Sequence, residues 1–177
     1  MFKRFVPDQY VPSIFEISVS ELKERGIKGI ITDLDNTLVE WDRPDATEEL
    51  IAWFKDVKAQ GIDIVVVSNN TEKRVRHFSD PHELTFIHSA KKPMTRAFKT
   101  ACNIMNIEKH EAVVVGDQLL TDILGGNRGG FHTILVVPVA QTDGVITRFN
   151  RRMERLVFQW MKRKGLIEWE KDKKTNQ

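Results

Sequence analysis

Apolar residues occur along this chain in short runs that are separated by longer amphipathic segments. The apolar runs predict five β-strands, at residues 29–34, 62–67, 84–88, 112–115 and 132–137. Segments with helical periodicity precede and separate them and predict helices near 18–25 and at 46–60, 71–79, 93–106 and 120–127. Thr47 is a candidate N-cap of helix 46–60, and Gly61 follows the end of that helix.

The regular alternation of strand and helix predicts the fold class. Chains of this kind form right-handed βαβ units, so we predict an α/β fold with a mainly parallel sheet and helices on both faces. The runs "IVVV" and "AVVV" are apolar throughout, which is typical of strands that are covered on both sides. Ligands of such sheets bind beyond the carboxyl ends of the strands, so the residues at those ends are the candidates for chemistry.

Two acids stand at the end of the first predicted strand. Asp33 and Asp35 are two residues apart in "GIITDLDNTLVEW", and side chains at this spacing on a strand point to the same face. A single aspartate there would be typical of a turn. Two like charges on one face of a buried strand are costly unless a cation or hydrogen bonds compensate them, so the pair indicates a functional site.

The other predicted strands also end in polar residues. The second strand ends at Ser68, Asn69 and Asn70, and the third leads to Lys92. The fourth ends at Asp117, with Asp122 shortly after it. Each of these side chains alone is also typical of a turn or of the start of a helix. Turn chemistry does not account for the whole set at successive strand ends, which predicts one site on one rim of the sheet.

Residues 29 to 137 resemble the haloacid dehalogenase-like (HAD) superfamily of phosphotransferases. The segments "DLDNT", "VVVSN", "KKP" and "GDQLLTD" match its four motifs in order. The resemblance implies a Rossmann-like fold and a Mg²⁺-dependent phosphomonoester hydrolase that works through an aspartyl-phosphate. An acid at the position of Asp35 is typical of the phosphatases of this superfamily rather than of its dehalogenases.

The resemblance also implies roles for the acids. Asp33 would be the nucleophile, and Asp35 the general acid and base. Mg²⁺ would bind to the Asp33 carboxylate, the Asp35 backbone carbonyl and the Asp117 carboxylate, with Asp122 in contact with the ion or just outside its ligands. These are oxygen ligands, which Mg²⁺ prefers.

Four further residues are predicted to bind the phosphoryl group or to balance its charge. The resemblance implies that the Ser68 hydroxyl and the Asn69 backbone N–H bind a phosphoryl oxygen. Lys92 would neutralise charge among Asp33, the phosphate and the metal ligands. We also predict Thr37, the last residue of the first motif, as a phosphate-binding residue.

The spacing of the motifs leaves no room for a cap domain. Many HAD phosphatases select substrates with a domain inserted after the first motif or between the second and third. Here the first gap holds a short flap and one helix, and the second holds one helix and one strand. The site is therefore predicted to be open and to act on large or surface-presented substrates such as proteins, nucleic-acid ends or lipid head groups.

The N-terminal segment points to a particular branch of this superfamily. The proline-rich entry, "SIFEI" and "KGIITDLDNTL" are similar to the capless subclass IIIA phosphatases of the YqeG-type family. That branch is related to phosphatidylglycerophosphate phosphatases, which implies a phospholipid-biosynthetic substrate. A phosphatase of a soluble metabolite, nucleic-acid end or phosphoprotein is the alternative, and a non-catalytic scaffold that binds RNA or a partner is the less favoured one. A nucleic-acid partner is not favoured.

The C-terminal region is predicted to form a basic amphipathic helix at about 145–164. Residues 145–177 carry ten Lys or Arg and four Asp or Glu, a balance of +6, whereas the whole chain has a net charge of +2. The apolar stripe of the helix would pack on the sheet or face a membrane, and its basic face is suited to anionic head groups. The candidate contacts are Arg148, Arg151, Arg152 and Arg155.

We predict one domain over residues 1–177, with its core at about 26–140. The lone cysteine, Cys102, rules out a disulfide framework and is predicted to be a small core residue. The N-terminus has no signal-peptide pattern, and no apolar run is long enough to span a bilayer. We therefore expect a cytoplasmic protein with a peripheral place at the inner face of the membrane.

Overall fold

The computed structural model describes residues 2–140 and Gln159. Gln159 is helical and exposed. Apart from it, the predicted basic helix at about 145–164 lies outside the described residues.

A six-stranded parallel sheet forms the centre of the fold. Its strands lie in the order β1-β6-β5-β2-β3-β4, and every pair of neighbours is parallel. The strands are β1 (Gln9–Val11), β2 (Gly29–Thr32), β3 (Asp63–Val67), β4 (Thr85–Ile87), β5 (Ala112–Gly116) and β6 (His132–Val136). The predicted fold class is confirmed, and the five predicted strands are present. Strand β1, which extends the sheet beyond β6, was not predicted.

Five α-helices connect or precede the strands. They are α1 (Val19–Glu24), α2 (Glu48–Ala59), α3 (Glu72–Ser79), α4 (Arg96–Met105) and α5 (Leu124–Gly129). Short 3₁₀-helices occur at Phe2–Phe5, Ile14–Glu16, Asp80–His82 and Lys109–Glu111. Thr47 caps α2 as predicted, because its side-chain oxygen accepts a hydrogen bond from the backbone N–H of Leu50 at 3.2 Å.

The helices cover both faces of the sheet. Residues of α1, α2 and α3, among them Leu22, Leu50 and Phe78, form one core cluster with alternate side chains of the strands. Residues of α4, including Phe98 and Cys102, form a second cluster with the other strand side chains. The central strands β2, β3 and β5 are covered on both sides, and their side chains are predominantly apolar. Cys102 is buried, as predicted.

Two helical predictions differ from the structure next to the site. Helix α4 begins at Arg96 rather than at 93, because the preceding residues form a turn in which the Met94 N–H donates to the Lys91 carbonyl at 2.9 Å. The predicted helix 120–127 consists of a π-helical turn, Leu119–Ile123, followed by α5. Periodicity alone does not register such local changes of winding. Among the described residues, no helix has the length and apolar character needed to cross a membrane.

Candidate active site

The predicted site residues meet at the carboxyl edge of the sheet. Asp33 directly follows β2, Ser68 follows β3 and Asp117 follows β5. Strands β3, β2 and β5 are adjacent, so the three loops emerge side by side. Asp33 is fixed by its backbone N–H, which donates to the Val115 carbonyl at 3.0 Å. The parallel topology therefore brings together residues that lie far apart in the sequence.

Lys92 is the cation at the centre of this edge. Its Nζ lies 2.8 Å from Asp33 Oδ1 and 2.7 Å from Asp122 Oδ1, and all three side chains are buried. Burial opposes the charged form of Lys92, but the carboxylates of Asp122 and Asp33 outweigh it and raise the pKa of Lys92 above its usual value. The ammonium is therefore charged and links two of the predicted acids.

The Asn69 side chain holds the backbone of Lys92 in place. The Lys92 N–H donates to Asn69 Oδ1 at 2.7 Å, and Asn69 Nδ2 donates to the Lys92 carbonyl at 3.3 Å. The sequence prediction gave a role only to the Asn69 backbone N–H. Nothing in the sequence pattern indicates that the side chain reaches the third motif, since this contact depends on the loop geometry.

Asp122 turns inward from the π-helical turn. Its Oδ2 accepts a hydrogen bond from the Gln118 N–H at 3.2 Å, while Oδ1 faces Lys92. Burial raises the pKa of Asp122 to about 6, Lys92 opposes this shift, and Asp33 adds to it. The carboxyl group packs so closely against Gly116 that a Cβ there would overlap it. The glycine in "GDQLLTD" therefore makes room for the last acid of that motif.

Three of the buried acids form a cluster suited to a metal ion. One carboxylate oxygen each from Asp33, Asp117 and Asp122 lies within 4.8 Å of the others. Lys92 balances only part of their charge, and the donors are all oxygens, which favours a hard divalent cation. Thr37 is buried beside them, and its hydroxyl donates to Asp117 Oδ1 at 3.1 Å. The residues present thus fit a divalent metal site.

Asp35 stands apart from this cluster, at the half-buried outer side of the edge. Its Oδ1 faces Arg74 Nη2 at 3.0 Å, and its Oδ2 accepts a hydrogen bond from Asn70 Nδ2 at 2.9 Å. Burial raises the pKa of Asp35, the Asn70 hydrogen bond opposes the shift, and the nearby Asp33 adds to it. The sequence placed Asn70 at the end of the second strand but gave it no role, and it did not indicate Arg74 at all.

Ser68 is buried at the end of β3. Its backbone N–H donates to the Ile87 carbonyl at 2.9 Å, and its hydroxyl accepts a hydrogen bond from the Asn70 N–H at 3.1 Å. This places the Ser68 hydroxyl in the turn that also carries Asn69 and Asn70. Its predicted contact with a phosphoryl oxygen stays a prediction.

The two connections that could carry a cap domain are short. The segment from Asp33 to Ser68 contains a turn, a loop and α2, and the segment from Ser68 to Lys92 contains α3 and β4. All residues of both segments are described, and neither segment contains an inserted domain. This part of the capless prediction is confirmed.

Comparisons with known proteins agree with this architecture. A family model described as HAD-hydrolase-like matches residues 89–144. In structure, the cobalt-bound form of deoxy-D-mannose-octulosonate 8-phosphate phosphatase (YrbI) from Haemophilus influenzae is similar, with a TM-score of 0.55 and 14% identity. That alignment covers 77% of this chain and 90% of the other, and it shows a shared fold. Fold and acidic edge together define the class of a HAD-like hydrolase.

Two curated relatives are similar over nearly the whole chain. The protein named "Probable phosphatase YqeG" of Bacillus subtilis is 60% identical over 168 residues, which are 95% of this chain and 98% of the relative. Phosphatidylglycerophosphate phosphatase 1 of Arabidopsis thaliana is 31% identical over 188 residues, 93% of this chain and 50% of that protein. The chain belongs to the YqeG-type family of HAD-like phosphatases. It is therefore an enzyme, and the non-catalytic alternative is set aside.

Proposed function

We propose that this phosphatase is a Mg²⁺-dependent phosphomonoester hydrolase that forms an aspartyl-phosphate on Asp33, with phosphatidylglycerophosphate as its substrate. The observation that carries the chemistry is the position of Asp33. It is a buried carboxylate at a strand end, held by Lys92 at 2.8 Å and clustered with Asp117 and Asp122. Such an arrangement is costly in a structural role and suits a nucleophile beside a cation.

Asp33, Asp117 and Asp122 would hold the metal, together with the Asp35 backbone carbonyl. When bound, Mg²⁺ offsets the negative charge that otherwise keeps a carboxylate away from a phosphate dianion. Asp117 is oriented for this task by the Thr37 hydroxyl. Lys92 forms ion pairs with the Asp33 and Asp122 carboxylates and holds them in place.

Asp33 acts as the nucleophile, and Asp35 acts as the general acid and base. The Asp33 carboxylate attacks phosphorus as the bond to the leaving oxygen breaks, and the Asp35 carboxylic acid gives its proton to that oxygen. Asp35 then takes a proton from the water that attacks the phosphorus of the aspartyl-phosphate. The raised pKa of Asp35 supports this role, because a general acid must hold its proton near the working pH.

The remaining predicted residues would hold the phosphoryl oxygens. The Ser68 hydroxyl and the Asn69 backbone N–H stand at the end of β3, next to the strand that ends in Asp33. The Lys92 ammonium adds positive charge there, and Thr37 would contribute through its place beside Asp117. Preorganised donors of this kind stabilise the charge of a transferring phosphoryl group.

Two observations support a glycerophospholipid substrate. The relative in Arabidopsis thaliana carries the name of a phosphatidylglycerophosphate phosphatase. The connections around the site contain no cap domain, so a head group presented by a surface can reach the acids. The test is phosphate release by the purified protein from phosphatidylglycerophosphate in mixed micelles, from soluble phosphate esters and from a phosphopeptide, each with Mg²⁺ and with excess EDTA.

Preference for the micellar lipid, abolished by EDTA and restored by Mg²⁺, is the expected result. Preference for a soluble phosphate ester or for the phosphopeptide would show that the lipid is not the substrate and would leave the proposed mechanism unchanged. Full activity in EDTA would overturn the metal proposal.

Membrane contact through the basic helix at about 145–164 remains part of the proposal. The four residues concerned lie outside the described residues: Arg148, Arg151, Arg152 and Arg155. Basic residues near an anionic leaflet contribute about 1 kcal/mol each. Changing all four to Gln should reduce sedimentation with anionic vesicles and slow hydrolysis of the lipid at low salt. Equal vesicle binding by both proteins would remove this role and the peripheral location.

A further inference from the structure

A groove lies beside the candidate active site, between the loop that follows β2 and helix α3. Its volume is about 420 Å³, within the range of small-molecule sites. The groove is lined chiefly by Trp41, Arg43, Pro44, Lys73, Arg74 and His77. None of these residues has a role in the mechanism proposed above.

Arg74 connects the groove to the reacting centre. On one side its Nε and Nη2 lie 3.1 and 3.0 Å from Oδ1 of Asp35, the proposed general acid. On the other side its Nη1 donates to the Pro44 carbonyl at 3.2 Å. Its guanidinium also lies over the Phe78 ring, 5.9 Å from the centroid. A ligand in the groove would therefore lie one side chain away from the residue that protonates the leaving group.

The lining of the groove presents cationic side chains to a ligand. Three arginine and lysine side chains and one acid, Asp42, line it. Glu40 pairs with Arg43 at 2.7 Å, and Asp35 pairs with Arg74. Among the described residues, no acid forms an ion pair with Lys73. Lys73 is thus the groove cation that is available to a ligand, and Arg43 is held by an exposed pair that a ligand can replace at little cost.

The walls of the groove suit a carbon chain as well. Trp41 is 47% exposed although it is large and apolar, and Pro44 stands beside it in the lining. An exposed indole beside two cations matches a ligand that has both an apolar portion and an anionic group. A phosphomonoester with a small, uncharged leaving group has no carbon chain to contact Trp41 and no second anionic group to bind Lys73.

We propose that this groove is a second anion subsite, which binds a phosphate group that a short carbon chain joins to the phosphate being hydrolysed. The inference rests on the proposed phosphatase mechanism and specifies its substrate class. Lys73 and Arg43 bind the second phosphate, Trp41 and Pro44 contact the carbon chain, and Arg74 lies between both phosphates. The leaving group is then selected by its own negative charge, whether it comes from a lipid or from a soluble ester.

The test compares two soluble substrates that differ in the second phosphate. One is glycerol 3-phosphate, and the other is glycerophosphoglycerol phosphate, a phosphatidylglycerophosphate head group without acyl chains. We expect a higher kcat/KM for the second, and we expect Lys73→Gln to lower the ratio of the two values about fivefold, the upper range for an exposed ion pair. Lys99→Gln is the matched control, an exposed lysine of α4 on the opposite face of the sheet.

The outcomes separate this inference from the proposed mechanism. If the wild type hydrolyses both substrates with equal kcat/KM, or if Lys73→Gln and Lys99→Gln keep the same ratio, the subsite is wrong while the phosphatase mechanism stands. If neither the soluble esters nor the micellar lipid is hydrolysed, the mechanism fails and the subsite fails with it. A loss confined to the acylated lipid in micelles would assign Lys73 to a membrane surface and would also overturn the subsite.

Discussion

At the scale of single residues, the site is organised by one buried lysine between carboxylates. The strand-end argument predicted that Asp33, Lys92, Asp117 and Asp122 would converge, because parallel strands place their carboxyl ends on one edge. The side-chain contacts were not predictable in the same way. The two hydrogen bonds between the Asn69 side chain and the Lys92 backbone depend on how two loops pack against each other. No local pattern in the sequence indicates this packing.

The first prediction concerns the charge balance around Lys92. Lys92→Met leaves Asp33 and Asp122 buried without their shared cation, and removing one partner of a buried ion pair costs about 3 kcal/mol. Urea unfolding of the metal-free protein should show this loss, and saturating Mg²⁺ should restore part of it. The exposed neighbour Lys91, changed to Met, is the control and should have little effect. Equal losses in both variants would count against the charge balance described here.

At the scale of elements, function depends on where the regular structure is interrupted. Pattern analysis placed a continuous helix at 120–127, but the chain forms a π-helical turn before α5. The wider turn lets Asp122 reach both the Gln118 N–H and Lys92. Hydrophobic periodicity locates helices but does not show extra residues in a turn, so this feature became visible only in three dimensions.

The second prediction tests the close packing at the end of β5. In Gly116→Ala the new Cβ would overlap the Asp122 carboxyl group, so that group or the turn must move. We expect a loss of about 2 kcal/mol in the free energy of unfolding, typical of overpacking, together with a loss of phosphatase activity. Both can be measured on the same preparation by urea titration and phosphate release.

Gly61→Ala provides the comparison. Gly61 has φ +79° and open space around its Cβ position, so alanine there should cost about 1 kcal/mol of backbone strain and leave activity intact. If Gly116→Ala is as active as Gly61→Ala, the close packing of the Asp122 carboxyl group against Gly116 is not needed for function.

At the scale of the whole molecule, the sequence predicted the centre of the sheet but not its edge strand β1. The apolar runs predicted five strands, and in four of them, β2, β3, β5 and β6, almost every residue is buried. Strand β1 was missed because Gln9–Val11 is short and only partly buried, and it is defined by its pairing with β6. The segment before β1 is also held by contacts that are distant in sequence, since Asn127 Nδ2 donates to the Arg4 and Val6 carbonyls, both at 2.9 Å.

The third prediction concerns the pH dependence of folding in the metal-free protein. The pKa of Asp122 is about 6 in the folded state, above the ordinary value of 3.8. Between these values the folded state binds the proton more tightly, so lowering the pH should stabilise the fold through this group. The stability of the wild type relative to Asp122→Asn should rise by about 1–2 kcal/mol between about pH 7 and about pH 4.5.

Urea unfolding in EDTA at both pH values gives this difference. Groups that do not interact with Asp122 titrate alike in both proteins and cancel, so the difference reports Asp122 together with its partners Asp33 and Lys92. A difference that stays constant, or that falls toward acid pH, would show that Asp122 is not a buried carboxyl group with a raised pKa.

The central claim is that Asp33 is the nucleophile of a phosphomonoesterase, and the most direct measurement is phosphate release by Asp33→Asn with Mg²⁺ present. An amide cannot form the acyl-phosphate, so we predict a folded protein whose turnover falls by at least about three orders of magnitude. Asp63→Asn is the matched control, an exposed acid at the far end of the neighbouring strand, and it should keep full activity. Wild-type phosphate release by Asp33→Asn would contradict the account.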